Sequence, residues 1–156
     1  MTTVNNVTRM LDAKKIKYKA HALPEEKLGA VEAAAHLGVS PEIVYKTIVA
    51  IRTTPGKPIL SVIPGNQELD LKKLAQAAGE KKIRLATHQQ AEDLTGLQTG
   101  GISPLALINK GFQVFIDDRA RSLAEIFVSG GQRGLNLQLS PKDIARLANA
   151  RFAPLT

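Results

Sequence analysis

The strongest constraint on the fold comes from two apolar runs rich in β-branched residues, 45–54 and 58–63, joined by Thr54-Pro55-Gly56-Lys57. Runs of this kind around a Pro-Gly pair are typical of a β-hairpin. Neighbouring strands interrupted by short helices argue against the strict alternation of a parallel sheet. We therefore expect the α/β class, of the α+β type. The expected sheet is mixed, mostly antiparallel and curled or barrel-like, with helices packed outside.

Turn and capping residues place the remaining elements. Predicted strands cover 17–23, 82–86, 112–116, 126–129 and 135–139. Predicted helices cover 4–15 with Thr3 as the cap, 29–37 before Gly38, 71–78 between Asp70 and Gly79, 88–94 after Thr87, and a last one from Ser140-Pro141 to about Ala150.

The chain of 156 residues fits a single domain, 1–156, because no segment rich in Gly, Ser or Pro divides it. Its N-terminus lacks a basic stretch followed by an apolar one, and no apolar run approaches the ~20 residues of a membrane helix. We expect a cytoplasmic protein without a membrane partner. The absence of cysteine excludes disulfides, thiolate metal sites and a cysteine nucleophile.

The net charge of +7, from 21 Lys and Arg against 14 Asp and Glu, favours a polyanionic partner, although solubility alone would also explain it. Two basic segments stand out, and each could equally be a solvated face: Lys14, Lys15, Lys17 and Lys19 in one, and Lys72, Lys73, Lys81, Lys82 and Arg84 in the other. The six aromatic residues are not spaced like the stacking pair of an RNA-recognition sheet. A bound nucleic acid would therefore be held by its backbone or by one terminal nucleotide.

Lys46 lies in the first apolar run. Strand alternation places it on one face with Val44, Ile48 and Ala50. Its stem could pack there while the ammonium reaches water. Alternatively, Lys46 is the fixed positive charge of an anion or carbonyl site, provided that the glycine-rich segments lie beside it.

Two glycine turns follow, Gly100-Gly101-Ile102-Ser103-Pro104 and Ser129-Gly130-Gly131-Gln132-Arg133-Gly134. The first could direct backbone amides and the Ser103 hydroxyl at an oxyanion, or it could be a simple turn or bulge. Ser129 could donate to a ligand or close its own turn. Glycine allows a ligand to approach the main chain because it has no Cβ.

Several common chemistries lack their sequence signals. Neither glycine turn has the Lys-Ser or Lys-Thr pair of a phosphate loop, and GxGxxG is absent. His21, His36 and His88 are scattered without metal-like spacing, and Asp117-Asp118 is typical of a turn. No serine lies in a GxSxG context. These absences disfavour nucleotide hydrolysis, a zinc site and a serine hydrolase.

Three motifs in order, Val44-Tyr45-Lys46-Thr47, Gly100-Gly101-Ile102-Ser103-Pro104 and residues 128–135, resemble the YbaK type of aminoacyl-tRNA deacylases. This family is related to the editing domain of bacterial prolyl-tRNA synthetase. The resemblance implies a trans-editing hydrolase that removes cysteine from Cys-tRNA(Pro), with Cys-tRNA(Cys) as a second candidate substrate. It also implies prolyl-tRNA synthetase as a partner and no metal or other cofactor. The alternatives are a deacylase for another small amino acid and a non-catalytic module that binds tRNA or the synthetase.

The resemblance also implies a mechanism and a set of residues. The substrate's own thiol attacks its ester carbonyl, so the enzyme needs no nucleophile and acts by orientation and charge stabilisation. Carried over by position, the catalytic residues are Lys46, Gly101 and Ser129. The substrate-binding residues are Leu28, Thr47, Ile102, Ser103, Pro104, Gly130, Gly131 and Asn136. Leu28 stands where relatives can have an aromatic residue, Asn136 where some have Asp, and a tyrosine that some relatives carry near Leu23 is missing.

Overall fold

A computed structural model describes residues 4–156, which form five helices and eight strands. The helices are α1 (Asn6–Ala13), α2 (Ala30–Leu37), α3 (Leu71–Ala78), α4 (His88–Thr95) and α5 (Pro141–Ala148). The strands are β1 (Tyr18–Ala22), β2 (Tyr45–Arg52), β3 (Ile59–Pro64), β4 (Ile83–Leu85), β5 (Gln113–Asp117), β6 (Ile126–Ser129), β7 (Leu135–Leu139) and β8 (Arg151–Ala153). Short 3₁₀ turns cover Pro41–Ile43, Pro104–Ala106 and Asp118–Ser122.

The strands form a five-stranded sheet in the order β4-β2-β3-β5-β8 and a three-stranded sheet in the order β1-β7-β6. β2 and β3 are the predicted antiparallel hairpin, with Tyr45 opposite Pro64 and Ala50 opposite Ile59. Four of the six strand pairs are antiparallel, whereas β5 runs parallel to both β3 and β8. The prediction of a mixed, mostly antiparallel α+β fold is confirmed.

The two sheets meet at a single parallel bridge between Val44 and Phe127, just before β2 and within β6. They do not close into a barrel, so of the two predicted sheet shapes the barrel-like one is wrong. The bridge holds the start of β2 against β6, and it thereby brings the Lys46 strand beside the second glycine turn. Helix α2 covers this junction, because its Ala33 and Ala34 pack with Val44 and Phe127.

The centre of the five-stranded sheet is buried on both faces. Alternate residues of β3 face different layers: Leu60 and Val62 join the core shared with the three-stranded sheet, and Ile59 and Ile63 pack with Leu74 of α3. This two-sided burial explains why the β3 sequence is apolar throughout. Among residues 4–156, no helix is long and apolar enough to cross a membrane.

Capping residues set the helix ends largely as predicted. Gly38 and Gly79 end α2 and α3 in the left-handed conformation that glycine adopts without strain. The predicted first cap, Thr3, lies outside the described residues. Asn5 caps α1, because its Oδ1 accepts a hydrogen bond from the Thr8 N–H at 3.0 Å.

Candidate active site

A cavity of about 480 Å³ opens beside β2, which is the size of a small-molecule site. Its other walls are the loop before α2, the start of α2, the β4–α4 segment and the two glycine turns. The residues that line it are Leu23, Lys27, Leu28, Gly29, Ala30, Glu32, Ala33, Val44, Tyr45, Lys46, Thr47, Ile48, Val49, Leu85, Ala86, His88, Ala91, Thr99, Gly100, Ile102, Ser129, Leu135 and Asn136.

The cavity brings together six of the predicted site residues from distant parts of the sequence. They are Leu28, Lys46, Thr47, Ile102, Ser129 and Asn136. The other five, Gly101, Ser103, Pro104, Gly130 and Gly131, do not line it. The three motifs therefore do meet at one place, and they contribute to it in different ways.

Lys46 is half-buried, and its ammonium donates a hydrogen bond to the carbonyl of Gly65 at 3.2 Å. Gly65 follows β3, and its own N–H donates to the carbonyl of Val44 at 2.8 Å. A Cβ at Gly65 would lie 2.7 Å from both the Ala30 Cβ and the Val44 oxygen. Only glycine therefore fits between β2 and α2 at this point. The lysine is held at the cavity wall with N–H groups left for a ligand, since an ammonium has three.

The first glycine turn offers amides other than that of Gly101, the residue predicted to be catalytic. The Gly101 N–H donates to the Gln98 carbonyl at 2.8 Å and closes a turn in which Gly100 has a φ of +92°. Within residues 4–156, the N–H groups of Gly100 and Ile102 donate to no protein acceptor. Both residues line the cavity, so these two amides are candidates to donate to a ligand oxygen.

Ser103 and Pro104 are buried and start the 3₁₀ turn Pro104–Ala106. The Ser103 hydroxyl accepts a hydrogen bond from the Leu105 N–H at 3.2 Å. Their position supports the neighbouring Ile102, which does reach the cavity.

The second glycine turn joins β6 to β7 and uses its first amides internally. The Gly130 N–H donates to the Leu135 carbonyl at 2.9 Å, and the Gly131 N–H donates to the Ser129 hydroxyl at 3.3 Å. A Cβ at Gly131 would lie 3.0 Å from the Ala106 Cβ, and neither residue lines the cavity. The two glycines shape the turn. Because the Ser129 oxygen accepts this bond, its hydroxyl proton can still be donated to a ligand.

The two glycine turns touch each other at Gly101. A Cβ there would lie 2.9 Å from the Gln132 backbone carbons and 3.0 Å from the Arg133 nitrogen. The Arg133 side chain closes the contact, since its Nε donates to the Thr99 carbonyl at 2.8 Å. Gly101 therefore allows the turns to stack, and this is a packing role that the sequence alone does not reveal.

Asn136 contributes a buried acceptor. It lies opposite Ser129 in the β6–β7 pair and is only 6% exposed. Its Oδ1 has no hydrogen-bond partner within residues 4–156. An unpaired buried oxygen costs about 1–3 kcal/mol, so it is a strong candidate for a ligand that carries N–H or O–H groups.

Charged residues that the sequence analysis did not single out for the site surround the opening. The Lys27 Nζ lies 2.9 Å from the His88 Nδ1, which links the loop before α2 to the start of α4. The Glu92 carboxylate accepts hydrogen bonds from the Thr99 N–H and hydroxyl at 2.7 and 3.0 Å. These bonds, helped by the charges of Arg133 and Lys27, lower the pKa of Glu92. Lys27, Gly65 and Glu92 lack motif context. Only the fold shows that Lys27 lines the cavity and that Gly65 and Glu92 hydrogen bond to the wall residues Lys46 and Thr99.

No group of three or more His, Cys, Asp or Glu within residues 4–156 could hold a metal ion. Two of the three histidines form other contacts: the His21 Nε2 lies 2.9 Å from the Gln138 Oε1, and the His88 Nδ1 lies 2.9 Å from the Lys27 Nζ.

Comparison with known proteins adds independent findings. The family model of the aminoacyl-tRNA editing domain matches residues 24–147. The chain is 39% identical over 153 residues to EbsC of Enterococcus faecalis. This alignment covers 97% of the chain and 92% of EbsC. The full name of EbsC describes it as a putative Cys-tRNA(Pro)/Cys-tRNA(Cys) deacylase. A proline–tRNA ligase of Thermodesulfovibrio yellowstonii is 36% identical over 89 residues, 57% of this chain and 15% of the ligase. The crystal structure of the hypothetical protein APE2540 matches with a TM-score of 0.87 at 26% identity and covers 97% of this chain and 99% of that one.

Proposed function

The chain belongs to the aminoacyl-tRNA editing domain family, and on that basis we propose that it is a trans-editing deacylase for Cys-tRNA(Pro), with Cys-tRNA(Cys) as a second substrate. The similarity to EbsC along nearly the whole of both chains supports this activity. The similarity to part of a proline–tRNA ligase supports a connection to that synthetase. We propose that residues 1–156 act as one domain in the cytoplasm, where tRNA is charged.

The observation that carries the proposal is the meeting of Lys46, Ser129, Asn136 and two unpaired backbone amides in one cavity. The ammonium, the hydroxyl and the two amides can donate to an ester and to the negative charge that develops on it, and the Asn136 Oδ1 can accept from an N–H or O–H group of the substrate. No hydroxyl of the wall is hydrogen bonded to a histidine within residues 4–156, so the usual activation of a serine or threonine nucleophile is not built here. Thr99 does contact Glu92, but the lowered pKa makes this carboxylate a weak base.

We assign the attack to the substrate's thiol. Its sulfur forms a bond to the ester carbonyl carbon, and the bond from that carbon to the ribose oxygen breaks. The thiol proton goes to the ribose oxygen, which leaves as the free hydroxyl of tRNA. Water then opens the cyclic thioester to give cysteine.

The wall residues have separate roles in this proposal. The Lys46 ammonium and the amides of Gly100 and Ile102 stabilise the negative charge on the carbonyl oxygen. The Asn136 Oδ1 accepts a hydrogen bond from the α-ammonium of the aminoacyl group, and the Ser129 hydroxyl donates to the ester. Leu28, Thr47 and Ile102 bound the space for the cysteine side chain.

The remaining predicted residues act indirectly, by supporting residues that line the cavity. Gly101 lets the two turns stack, Gly130 and Gly131 shape the second turn, and Ser103 and Pro104 support Ile102. Their contribution is to hold the ester near attack geometry, which can supply a large part of the rate.

The test is a panel of charged tRNAs: Cys-, Ala- and Ser-tRNA(Pro), Cys-tRNA(Cys), and tRNA(Pro) carrying S-methylcysteine. We expect rapid release of cysteine and little release of alanine, serine or S-methylcysteine, because only a free thiol can attack. Hydrolysis of the thiol-free esters alone would contradict the mechanism and show a deacylase for another small amino acid. Salt-sensitive tRNA binding without any deacylation would contradict the enzyme and indicate a binding module.

A further inference from the structure

The cavity extends well beyond the position proposed for the ester carbonyl beside Lys46. It follows β2 from Val44 to Val49, which is about 17 Å at ~3.3 Å per residue. The wall residues assigned above to the aminoacyl group all come from β2 up to Thr47, the loop before α2, the two glycine turns and the start of β7. The opposite end, formed by Val49, Leu85, Ala86 and Ala91, has no assigned occupant.

That end is apolar and partly open to water. Leu85 is 50% exposed although it belongs to the cavity wall. The other large exposed apolar residues among 4–156, Val4, Val31 and Leu94, do not line the cavity. The Ala86 N–H donates to the Val49 carbonyl at 3.0 Å, which fixes this segment against β2. The exposed Leu85 face is therefore a preformed surface that a flat apolar group could cover.

Lys27 and His88 also line this cavity. The His88 imidazole lies in the wall with the Lys27 ammonium 2.9 Å from its Nδ1. Arg84 precedes Leu85 on β4, is exposed, and donates to the Gln90 Oε1 at 3.3 Å. The nearby Glu92 carboxylate is occupied by Thr99. Because side chains alternate along a strand, Arg84 and Leu85 point to opposite faces of β4. An apolar surface with an imidazole and an ammonium suits an aromatic group that carries a phosphate.

We propose that Leu85 and His88 form the seat for the terminal adenosine of tRNA. Its base covers the Leu85 side chain and stacks on the His88 ring, and its phosphate lies towards Lys27. This inference rests on the proposed function, because the ester is carried by the ribose of that same nucleotide. Three residue steps along β2, about 10 Å, separate Lys46 from Val49, and this distance accommodates one ribose between the ester and the base.

The probe is 5′-AMP, titrated against the protein by calorimetry and used as a competitor of Cys-tRNA(Pro) deacylation. The variants are Leu85→Ser and His88→Ala. The matched control is Leu94→Ser, since Leu94 is 41% exposed on α4 but lies outside the cavity wall. Leu85 and His88 are exposed, so these substitutions leave the core intact.

We expect competition by 5′-AMP, and about 5- to 100-fold weaker 5′-AMP binding in both seat variants, as loss of base stacking predicts. The KM for Cys-tRNA(Pro) should rise while kcat at saturation changes less than about threefold. Leu94→Ser should match the wild type in every measurement.

Three results would overturn the seat: an active wild-type enzyme that 5′-AMP does not inhibit, equal losses in Leu85→Ser and Leu94→Ser, or weaker 5′-AMP binding in Leu85→Ser without a change in KM. The last would mean that the surface binds a free nucleotide and not the tRNA end. If the protein deacylated no charged tRNA but bound 5′-AMP through Leu85, the proposed function would be contradicted, whereas nucleotide binding at Leu85 and His88 would be supported.

Discussion

The Lys46 ammonium lies 3.2 Å from the carbonyl oxygen of Gly65, a residue that follows the neighbouring strand. This bond draws a half-buried charge to the wall of a cavity that also contains Ser129 and Asn136. The pairing of β2 with β3 therefore positions the Lys46 ammonium as well as the backbone.

Replacement of Lys46 by methionine should remove the charge and keep most of the apolar stem. We expect kcat/KM for Cys-tRNA(Pro) to fall about 10²- to 10³-fold, the usual cost of losing one donor to a developing oxyanion. The free energy of unfolding should change by less than about 1 kcal/mol. Lys72→Met, at an exposed lysine on α3, is the control and should keep full activity. Full activity of Lys46→Met would refute the assigned role.

Gly65→Ala should disturb the same bond from the other side. The added Cβ would lie 2.7 Å from the Val44 oxygen and the Ala30 Cβ, so β2 and α2 must separate. We expect the free energy of unfolding to drop by about 1–3 kcal/mol, with a loss of kcat because the carbonyl that holds Lys46 moves. Denaturant unfolding and single-turnover deacylation measure the two effects.

Gly29→Ala is the stability control for this change. A Cβ at Gly29 would meet only the flexible end of Glu32, at 3.3 Å. The loss there should stay below about 1 kcal/mol. If Gly65→Ala were as stable and as active as the wild type, the close fit at Gly65 would not matter for the site.

The sequence predicted the hairpin and most helix ends, and six of its eleven site residues line the cavity, because these depend on local pattern and on motifs. It did not predict β8, a strand of three residues that adds to β5 only through tertiary contact. It directed the backbone amides of the first glycine turn at an oxyanion and named Gly101 as catalytic, whereas the fold uses the Gly101 amide within its own turn and leaves those of Gly100 and Ile102 unpaired. Which amide remains free depends on the three-dimensional path of a turn, and residue types do not encode it separately.

Asn5 connects the first helix to the second glycine turn. Besides capping α1, its Nδ2 donates to the Gly130 carbonyl and the Gln132 Oε1, each at 3.0 Å. Asn5→Ala should therefore lower both the free energy of unfolding, by about 1 kcal/mol, and kcat, because the turn beside Ser129 loses a support. The control is Asp70→Ala, which removes the equivalent cap of α3. No residue of α3 lines the cavity.

The two cap variants separate stability from activity. Asp70→Ala should show a similar loss of stability with unchanged deacylation. Equal activity in both variants would mean that Asn5 acts only as a helix cap.

The raised pKa of Tyr45 should make the free energy of unfolding depend on alkaline pH. Burial, reinforced by the negative charge of Asp117 and opposed by Arg119, raises the pKa of Tyr45 from 10.0 to about 12. Between these values the unfolded chain has lost the phenolic proton and the folded chain has kept it. Stability is therefore fully present below pH 10 and declines as the pH rises towards 12.

Tyr45→Phe tests this dependence directly. The Tyr45 hydroxyl is buried without a hydrogen-bond partner in residues 4–156, so its removal should leave neutral-pH stability unchanged or up to about 1 kcal/mol higher. The decline between pH 10 and 12 should become shallower, because one of the two tyrosines no longer titrates. Tyr18→Phe is the control: Tyr18 is exposed to a greater degree and donates to the Asp12 carboxylate at 2.8 Å, so its removal should change the alkaline slope less. Denaturant unfolding at pH 8, 10 and 11.5 measures the difference, and an unchanged slope in Tyr45→Phe would assign the alkaline loss to other groups.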